Sequence, residues 1–581
     1  MARIEESDAV KALRRQITRR RFLQMLMGGG AALIARCAPA PAPEPTPVPP
    51  EPTATTAPPP PAESPTPAPP EPPPIPEGTG VLIYSGGQDI PTLDPRDRGD
   101  YSINCMMRGV YDSLWWQEDW PPKLAPNICT HYEVSDDVRE WVFHLDERAM
   151  FHDGTPLTAH AVEWTLKGIL DFQRPRAANI LPVMDADGIE VVDDYTLRIV
   201  LNTPFADLPW LLGYGGQTFI ANPDEVMAHE ESGDKGETWL LENAAGSGPF
   251  KITRWEPGTV YELEAVPDYW RGWPEGGRLD GVIWRIIRDS AERRMALLAG
   301  EIDITDTVAV DDLPLIDDNP GTHTEVNPGF LTGYVKMHNQ REPFSDLNFR
   351  KFMAHAFDYD GFVATQGGPD LCPLITGCLP DGVPGHDPNV QPIYRQDLDK
   401  AKEYLDKTAW ADGGFEIDFV YVTGLPFEEA MGTMLAEPLA QFGITVNLVP
   451  KVWPDMVAMS THPDTGADTI AVFDDLGPVA TQWFRYQYYS PFWDKPEGGS
   501  FQSACFFKNA DLDALLEQAE ATADAEERLE LVADLQAMVM ENIPAVMLYT
   551  MPNMLGFSDR VKGYKYTGYI ALDFWPLWLE A

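Results

Sequence analysis

The stretch that most constrains this chain runs from Trp141 to Leu166. Trp141, Phe143 and Leu145 alternate with Val142 and His144, the period of a half-buried strand. Asp153-Gly154 is a turn dipeptide in which the glycine can take positive φ without strain. Thr158 suits a helix N-cap, and Val162 and Leu166 then fall on one helical face. The spacing therefore predicts strand, turn and helix in immediate succession. His152 and Asp153 would also suit a catalytic pair, but their place beside Gly154 favours a turn role.

This stretch resembles the F-H-L-(basic)-x-G-x-x-F-H-D-G-T-P-x-T-A-(acidic)-D-V signature of solute-binding proteins of bacterial ABC importers, in the family 5 oligopeptide/dipeptide/nickel-binding group. Two departures are visible. His160-Ala161 replaces the usual acidic pair, which removes the acidic residue of a capping box. Asp146-Glu147-Arg148-Ala149 departs from the usual basic-x-x-Gly run.

Further matches follow in order along the chain. Val81–Tyr84 reads as a strand followed by Thr92-Leu-Asp-Pro95, and Arg108–Leu114 resembles the next family element. Tyr132–Asp137 stands where the family has S-W-x-V-S-D-D, and Thr196–Leu201 alternates as a strand. Gly246-Ser-Gly-Pro-Phe250, Val266–Trp270, Gly300-Glu-Ile-Asp303 and Glu342–Asp358 resemble successive family motifs. Asp397–Leu405 reads as a helix, and Gly443 as a stop between a helix and the strand Ile444–Val446. Leu512, Leu515 and Leu516, then Leu531, Leu535, Met538 and Val539, have helical spacing. Val561–Tyr564 and Phe574-Trp575 match the closing segment, so the resemblance spans residues 81–576.

The resemblance implies an α/β fold of the large, three-domain type II periplasmic-binding-protein form. Two lobes are joined by a hinge, with a subdomain inserted in lobe I. It divides the chain into lobe I at 81–116, 205–325 and 546–581, an inserted subdomain at 117–204, and lobe II at 326–545. A length of 581 residues independently calls for several units.

The N-terminus reads as an export signal. Thr18–Gln24, with Arg19 and Arg20 at its centre, resembles a twin-arginine motif. The apolar run Met25–Ala35 is too short for a spanning helix and suits a signal core. Ile34-Ala35-Arg36-Cys37 resembles a lipobox, although Arg36 stands where a small residue is usual. Residues 1–37 are thus expected to direct export, with Cys37 as the lipidation site. Residues 38–80 form a linker, and 38–77 hold 20 prolines among 40 residues, a composition that favours polyproline II over a packed core. Such a stalk would reach on the order of 120 Å when extended. An ordinary disordered leader without lipid is the other reading.

Formal net charge is −47, although residues 1–36 hold eight Lys/Arg against three Asp/Glu. The acidic excess therefore lies beyond the signal, which argues against a nucleic-acid partner. Six cysteines include no C-x-x-C pair. Cys372 and Cys378 are spaced for a short disulfide in an oxidising compartment, with buried free thiols as the alternative. His229-Glu-Glu-Ser-Gly233 lacks the second histidine of H-E-x-x-H, and Gly246-Ser-Gly248 is not a G-x-S-x-G elbow. No catalytic residues, metal site or cofactor are expected, so an exported hydrolase is the weaker rival.

A family-like function implies capture of a peptide or peptide-like solute between the lobes. Its partners would be an ABC permease with its ATPase subunits, and the membrane through Cys37, with the protein itself a monomer on the outer face of the cytoplasmic membrane or in the periplasm. An oligosaccharide or metal chelate is the alternative ligand, and a sensory or chaperone-like binding module the alternative use of the fold. Peptide binders of the family place an aspartate near a Gly-Trp-x-x-Asp-Tyr segment of lobe II. The corresponding stretch, Asp468–Gly477, lacks the tryptophan and has Gly477 at the aspartate's place. Asp474 and Asp475 are the candidate substitutes. Trp483 and Tyr486, in the aromatic run 483–489, are candidates for stacking on a ligand, with hydrophobic packing as the other reading.

Overall fold

A computed structural model describes residues 78–97, 104–173, 180, 182–213, 218–568 and 572–580. Three main sheets organise these residues. A seven-stranded sheet has the order Thr322–Asn327, Asn553–Ser558, Ile304–Thr305, Val81–Gly86, Gly281–Ile286, Val260–Ala265, Phe250–Glu256. Val81–Gly86 runs parallel to both Gly281–Ile286 and Ile304–Thr305, and the helix Ser290–Leu298 connects those two neighbours. A five-stranded sheet has the order Ile444–Lys451, Phe415–Val422, Thr469–Asp474, Thr332–Met337, Ala545–Thr550. Its first three strands are parallel, and the helix Pro426–Ala440 makes the crossover between Phe415–Val422 and Ile444–Lys451. Each sheet has its own apolar core, so the molecule is a two-lobed α/β protein.

The strand, turn and helix at Trp141–Leu166 belong to a third, four-stranded antiparallel sheet of order Cys129–Val134, Glu140–Leu145, Thr196–Val200, Ile189–Asp193. Trp141, Phe143 and Leu145 are buried and their alternate neighbours are half-buried, as the period of two requires. The helix Ala159–Phe172 follows Thr158, which takes extended N-cap geometry without a side-chain cap bond, and Val162 and Leu166 are buried against the sheet. Gly154 has φ of 84° and Thr155 is bonded to Asp153 through both its N–H and its hydroxyl, which fixes the turn. His152 Nε2 sits 2.9 Å from the Gly248 carbonyl, and burial lowers its pKa to about 4. It ties this subdomain to the Gly246–Phe250 segment.

Several motifs prove to be internal fastenings. Asp303 of the Gly-Glu-Ile-Asp run accepts from the Ile83 N–H (2.8 Å) and from Arg560 (2.5 and 2.8 Å). Arg108 pairs with Asp573 at 2.8 Å and lies over the Trp116 ring. Buried Asp112 accepts from Tyr269, Trp270 and Asn127. Arg350 donates to the carbonyls of Phe344, Ser345 and Asn542. Aspartates 397 and 524 cap the helices Leu398–Leu405 and Ala525–Asn542, each accepting a backbone N–H at N3.

The chain passes from the large sheet to the five-stranded sheet through residues 328–331 and returns through 551–552. On the first side Thr322–Asn327 pairs with Asn553–Ser558, and on the second Thr332–Met337 pairs with Ala545–Thr550. One antiparallel ribbon thus runs through both lobes. The return lies after Thr550 rather than at the expected 545/546 boundary, because Ala545–Thr550 is an edge strand of the second lobe. At the crossing, the Met551 N–H donates to the Leu331 carbonyl at 2.7 Å. A Cβ on Gly329 would stand 2.4 Å from the Met551 carbonyl oxygen, so the close approach of the two segments requires glycine there.

Candidate ligand cleft

In parallel α/β sheets, loops at the carboxyl ends of the strands make the ligand crevice. Here a cavity of about 420 Å³ lies at those ends. Gly87 and Gln88 follow Val81–Gly86, Arg288 follows Gly281–Ile286, and Asp306 and Thr307 follow Ile304–Thr305. Asp475 enters from the second lobe, directly after Thr469–Asp474. The crossing residues Gly329, Phe330, Leu331, Met551 and Pro552 line it as well. Any rotation at the crossing must therefore reshape the cavity.

The wall is mixed in character. Phe330, Leu555 and Leu572 supply buried apolar surface, while Asp306, Asp475 and the exposed Arg288 supply charge of both signs. The Tyr84 hydroxyl donates to Asp306 Oδ2 at 2.7 Å, and burial pushes the Asp306 carboxyl above its ordinary range. Asn104 lines the same cavity and is 2 % exposed. The size and the few placed polar groups on an apolar ground suit a small organic solute. Among the described residues no group of three or more His, Cys, Asp or Glu is arranged to hold a metal.

The residues singled out from sequence separate into three groups. Asp475 reaches the cavity, half-buried, with its Oδ1 accepting from the Gly477 N–H. Asp474 corrects the expectation of a ligand contact. Its Oδ2 lies 2.6 Å from Lys336 Nζ, both side chains are fully buried, and neither lines the cavity. Burial pushes the Asp474 carboxyl upward against the pull of that ammonium. Trp483 and Tyr486 are likewise absent from the cavity wall and belong to the core of the second lobe. Trp483 donates Nε1–H to the Gly477 carbonyl at 2.7 Å, and Tyr486 meets Phe492 edge to face. Both rings are used for packing, and the polar edge of Trp483 is satisfied internally.

Cys372 and Cys378 are both buried free thiols, so the expected disulfide is not formed. Burial pushes the Cys372 thiol up to about 12 and Cys378 further in the same direction, which leaves both inert. Arg19, Arg20 and Cys37 lie outside the described residues. Sequence reasoning missed Tyr84, Asn104, Arg288 and Asp306. For Asp306 the signal was present, since an acidic residue directly after the short strand of a G-E-I-D segment sits at a strand's carboxyl end.

The comparisons agree with this geometry. Residues 123–494 match the family described as bacterial extracellular solute-binding proteins, family 5 (middle). A probable D,D-dipeptide-binding periplasmic protein of Escherichia coli is 27 % identical over 499 residues, covering 84 % of this chain and 91 % of the relative. Heme-binding protein A of Haemophilus influenzae is 25 % identical over 485 residues, covering 80 % of this chain and 85 % of that protein. Among solved structures, the substrate-binding protein CtaP of Listeria monocytogenes superposes with a TM-score of 0.76 at 22 % identity, over 87 % of this chain and 100 % of that one. The periplasmic binding protein DppA of Helicobacter pylori, solved with a bound peptide, gives a TM-score of 0.72 at 22 % identity, over 87 % of this chain and 99 % of that one. The two-lobed fold with its inserted subdomain is thus that of periplasmic binding proteins, and the chain belongs to the bacterial extracellular solute-binding proteins of family 5.

Proposed function

We propose that this protein is the extracytoplasmic solute-binding subunit of an ABC importer, taking a peptide or peptide-like solute into the cleft and presenting the closed lobes to a permease. The observation that carries the reading is the 420 Å³ cavity at the lobe crossing, lined by carboxylates from both lobes and by Arg288. A zwitterion matches such a wall, its ammonium toward Asp475 and its carboxylate toward Arg288. The D,D-dipeptide-binding relative and the peptide-bound structural neighbour support the same class.

The test is a thermal-shift screen with dipeptides, oligosaccharides and metal chelates, because a tight ligand raises the melting temperature. A dipeptide should give the largest shift. Stabilisation by an oligosaccharide or chelate alone would replace the peptide by that solute, and hydrolysis of a solute without tight binding would overturn the binding role.

The same reading places the protein outside the cytoplasmic membrane as a lipid-anchored monomer, with Arg19 and Arg20 directing twin-arginine export and Cys37 carrying the lipid. Support comes from the N-terminal motif and the proline-rich segment behind it. Replacing both arginines by lysine should leave precursor in the cytoplasm, and Cys37→Ala should release the protein from membranes. A mature chain that starts beyond Cys37 and carries no lipid would remove the anchor.

A further inference from the structure

Two of the cavity's polar groups are left with hydrogen-bonding capacity that the protein does not use. Asn104 is 2 % exposed, yet neither its Nδ2 nor its Oδ1 has a partner. Asp306 Oδ1 is also buried and accepts no hydrogen bond of ordinary geometry, while Oδ2 is held by the Tyr84 hydroxyl and the carboxyl lies in the field of Arg293 and beside Thr307. Both residues line the cavity. A buried amide left unpaired costs about 1–3 kcal/mol, and most buried polar groups avoid that cost by pairing. Asp112 of the same lobe is met by three side-chain donors, and the buried unpaired atoms of Arg96, Trp255 and Trp284 lie away from the cavity wall.

We infer that Asn104 and Asp306 form an amide-reading subsite on lobe I, which pairs with a peptide group of the bound solute. The inference rests on the peptide-binding reading and deepens it. A side-chain amide offers one acceptor and two donor hydrogens, the complement of the N–H and C=O of a peptide-bonded residue. Asp306 Oδ1, fixed in place by Tyr84, accepts a neighbouring N–H. The subsite is distinct from the charge recognition at Asp475, because it acts on the neutral linkage and not on the chain ends. It selects amides over esters of the same shape, since an ester lacks the N–H and leaves a buried acceptor unpaired.

The experiment compares alanyl-alanine, in its L,L and D,D forms, with the ester-linked analogue in which oxygen replaces the amide N–H. Binding is measured by calorimetric titration to the parent, to Asn104→Ala and to Asp306→Asn. The parent should prefer the amide by about tenfold or more, the effect of one buried hydrogen bond of about 1.4 kcal/mol. In Asn104→Ala that preference should shrink to within about threefold, the coupling that a double-mutant cycle isolates. The unliganded melting temperature of Asn104→Ala should stay level or rise, because the substitution removes an unpaired buried group. A purely structural residue would behave oppositely, losing stability and leaving the amide-to-ester ratio intact. An unchanged ratio in both variants overturns the subsite. Failure of the parent to bind either dipeptide form overturns the peptide reading itself, a separate outcome read before any variant is made.

Discussion

Lys336 and Asp474 form an ion pair at 2.6 Å with both side chains fully buried in the second lobe, while the next residue, Asp475, faces the ligand cavity. Asp474 is the last residue of its strand and Asp475 the first of the loop after it, so two adjacent aspartates take opposite roles. Lys336 also donates to the Gln502 carbonyl, which fastens the loop after Trp493 to the strand Thr332–Met337.

The pair predicts a separation of effects. Removing one partner of a buried ion pair leaves an uncompensated charge and costs about 3–5 kcal/mol. Asp474→Ala should therefore lower stability by that order. Asp475→Ala should leave stability within about 1 kcal/mol and weaken dipeptide binding by roughly 30-fold or more, if it pairs with the ligand's ammonium. Denaturant unfolding and calorimetric titration of the two variants check this. Equal binding by Asp475→Ala and the parent would make that residue a solvated loop position.

Gly329 predicts a defect at the crossing. An alanine there would force the Met551 carbonyl outward and disturb the 2.7 Å bond between Met551 and Leu331. Overpacking of this kind costs about 1–3 kcal/mol. Because both segments line the cavity, Gly329→Ala should lose ligand affinity along with stability. A variant with unchanged affinity would show that the crossing does not shape the cleft.

Two buried titratable groups predict opposite pH dependences. Glu428 accepts from the Val422 N–H at 2.6 Å, and burial raises its pKa to about 7. Its carboxyl is held protonated in the native state where the unfolded chain has released the proton, so its contribution falls as pH rises from about 4.5 to 7, by on the order of 3 kcal/mol. Glu428→Gln should flatten that loss. His152, lowered to about 4, works the other way, since the unfolded chain binds the proton first and stability falls as pH drops from about 6.5 to 4. Melting temperatures of the parent and of Glu428→Gln between pH 4 and 8 test both signs.

What was legible in the sequence was local. The alternation at Trp141, Phe143 and Leu145 dictated a strand, and the spacing of Leu531, Leu535, Met538 and Val539 a helix, because periodicity acts within a few residues. What was not legible depends on partners far along the chain. Asp474 meets Lys336 across paired strands, and Trp483 is satisfied by the carbonyl of Gly477 inside a core drawn from the whole second lobe. An aromatic run looks the same whether it faces a ligand or a core. The Cys372–Cys378 spacing permits a bridge, but each thiol is instead packed among apolar side chains. Asn104 carries no pattern of its own; only its lack of a partner inside a cavity singles it out.

Asp207 joins the lobes outside the crossing segments. It stands just before the helix Leu208–Gly213, and its Oδ2 accepts from the Thr481 hydroxyl at 3.1 Å while Oδ1 lies 3.4 Å from Arg528. Beside it the Ala206 N–H donates to the Glu520 carbonyl at 2.8 Å, and the Glu520 side chain is paired with Arg485. Thr481, Glu520 and Arg528 all lie on helices that pack with the second lobe. Burial pushes the Asp207 carboxyl upward, and Arg528 and the Thr481 hydroxyl oppose that shift. Asp207→Ala should therefore favour separation of the lobes without touching the cavity, which Asp207 does not line. A bias of about 1.4 kcal/mol against the closed arrangement reduces the apparent affinity up to about tenfold, since binding must then supply that difference. Small-angle scattering of unliganded protein should show an expanded particle for the variant, and saturating ligand should return it to the parent's dimensions. If the variant matches the parent in both scattering and affinity, the Asp207 contacts only pack the surface and lobe closure is governed at the crossing alone.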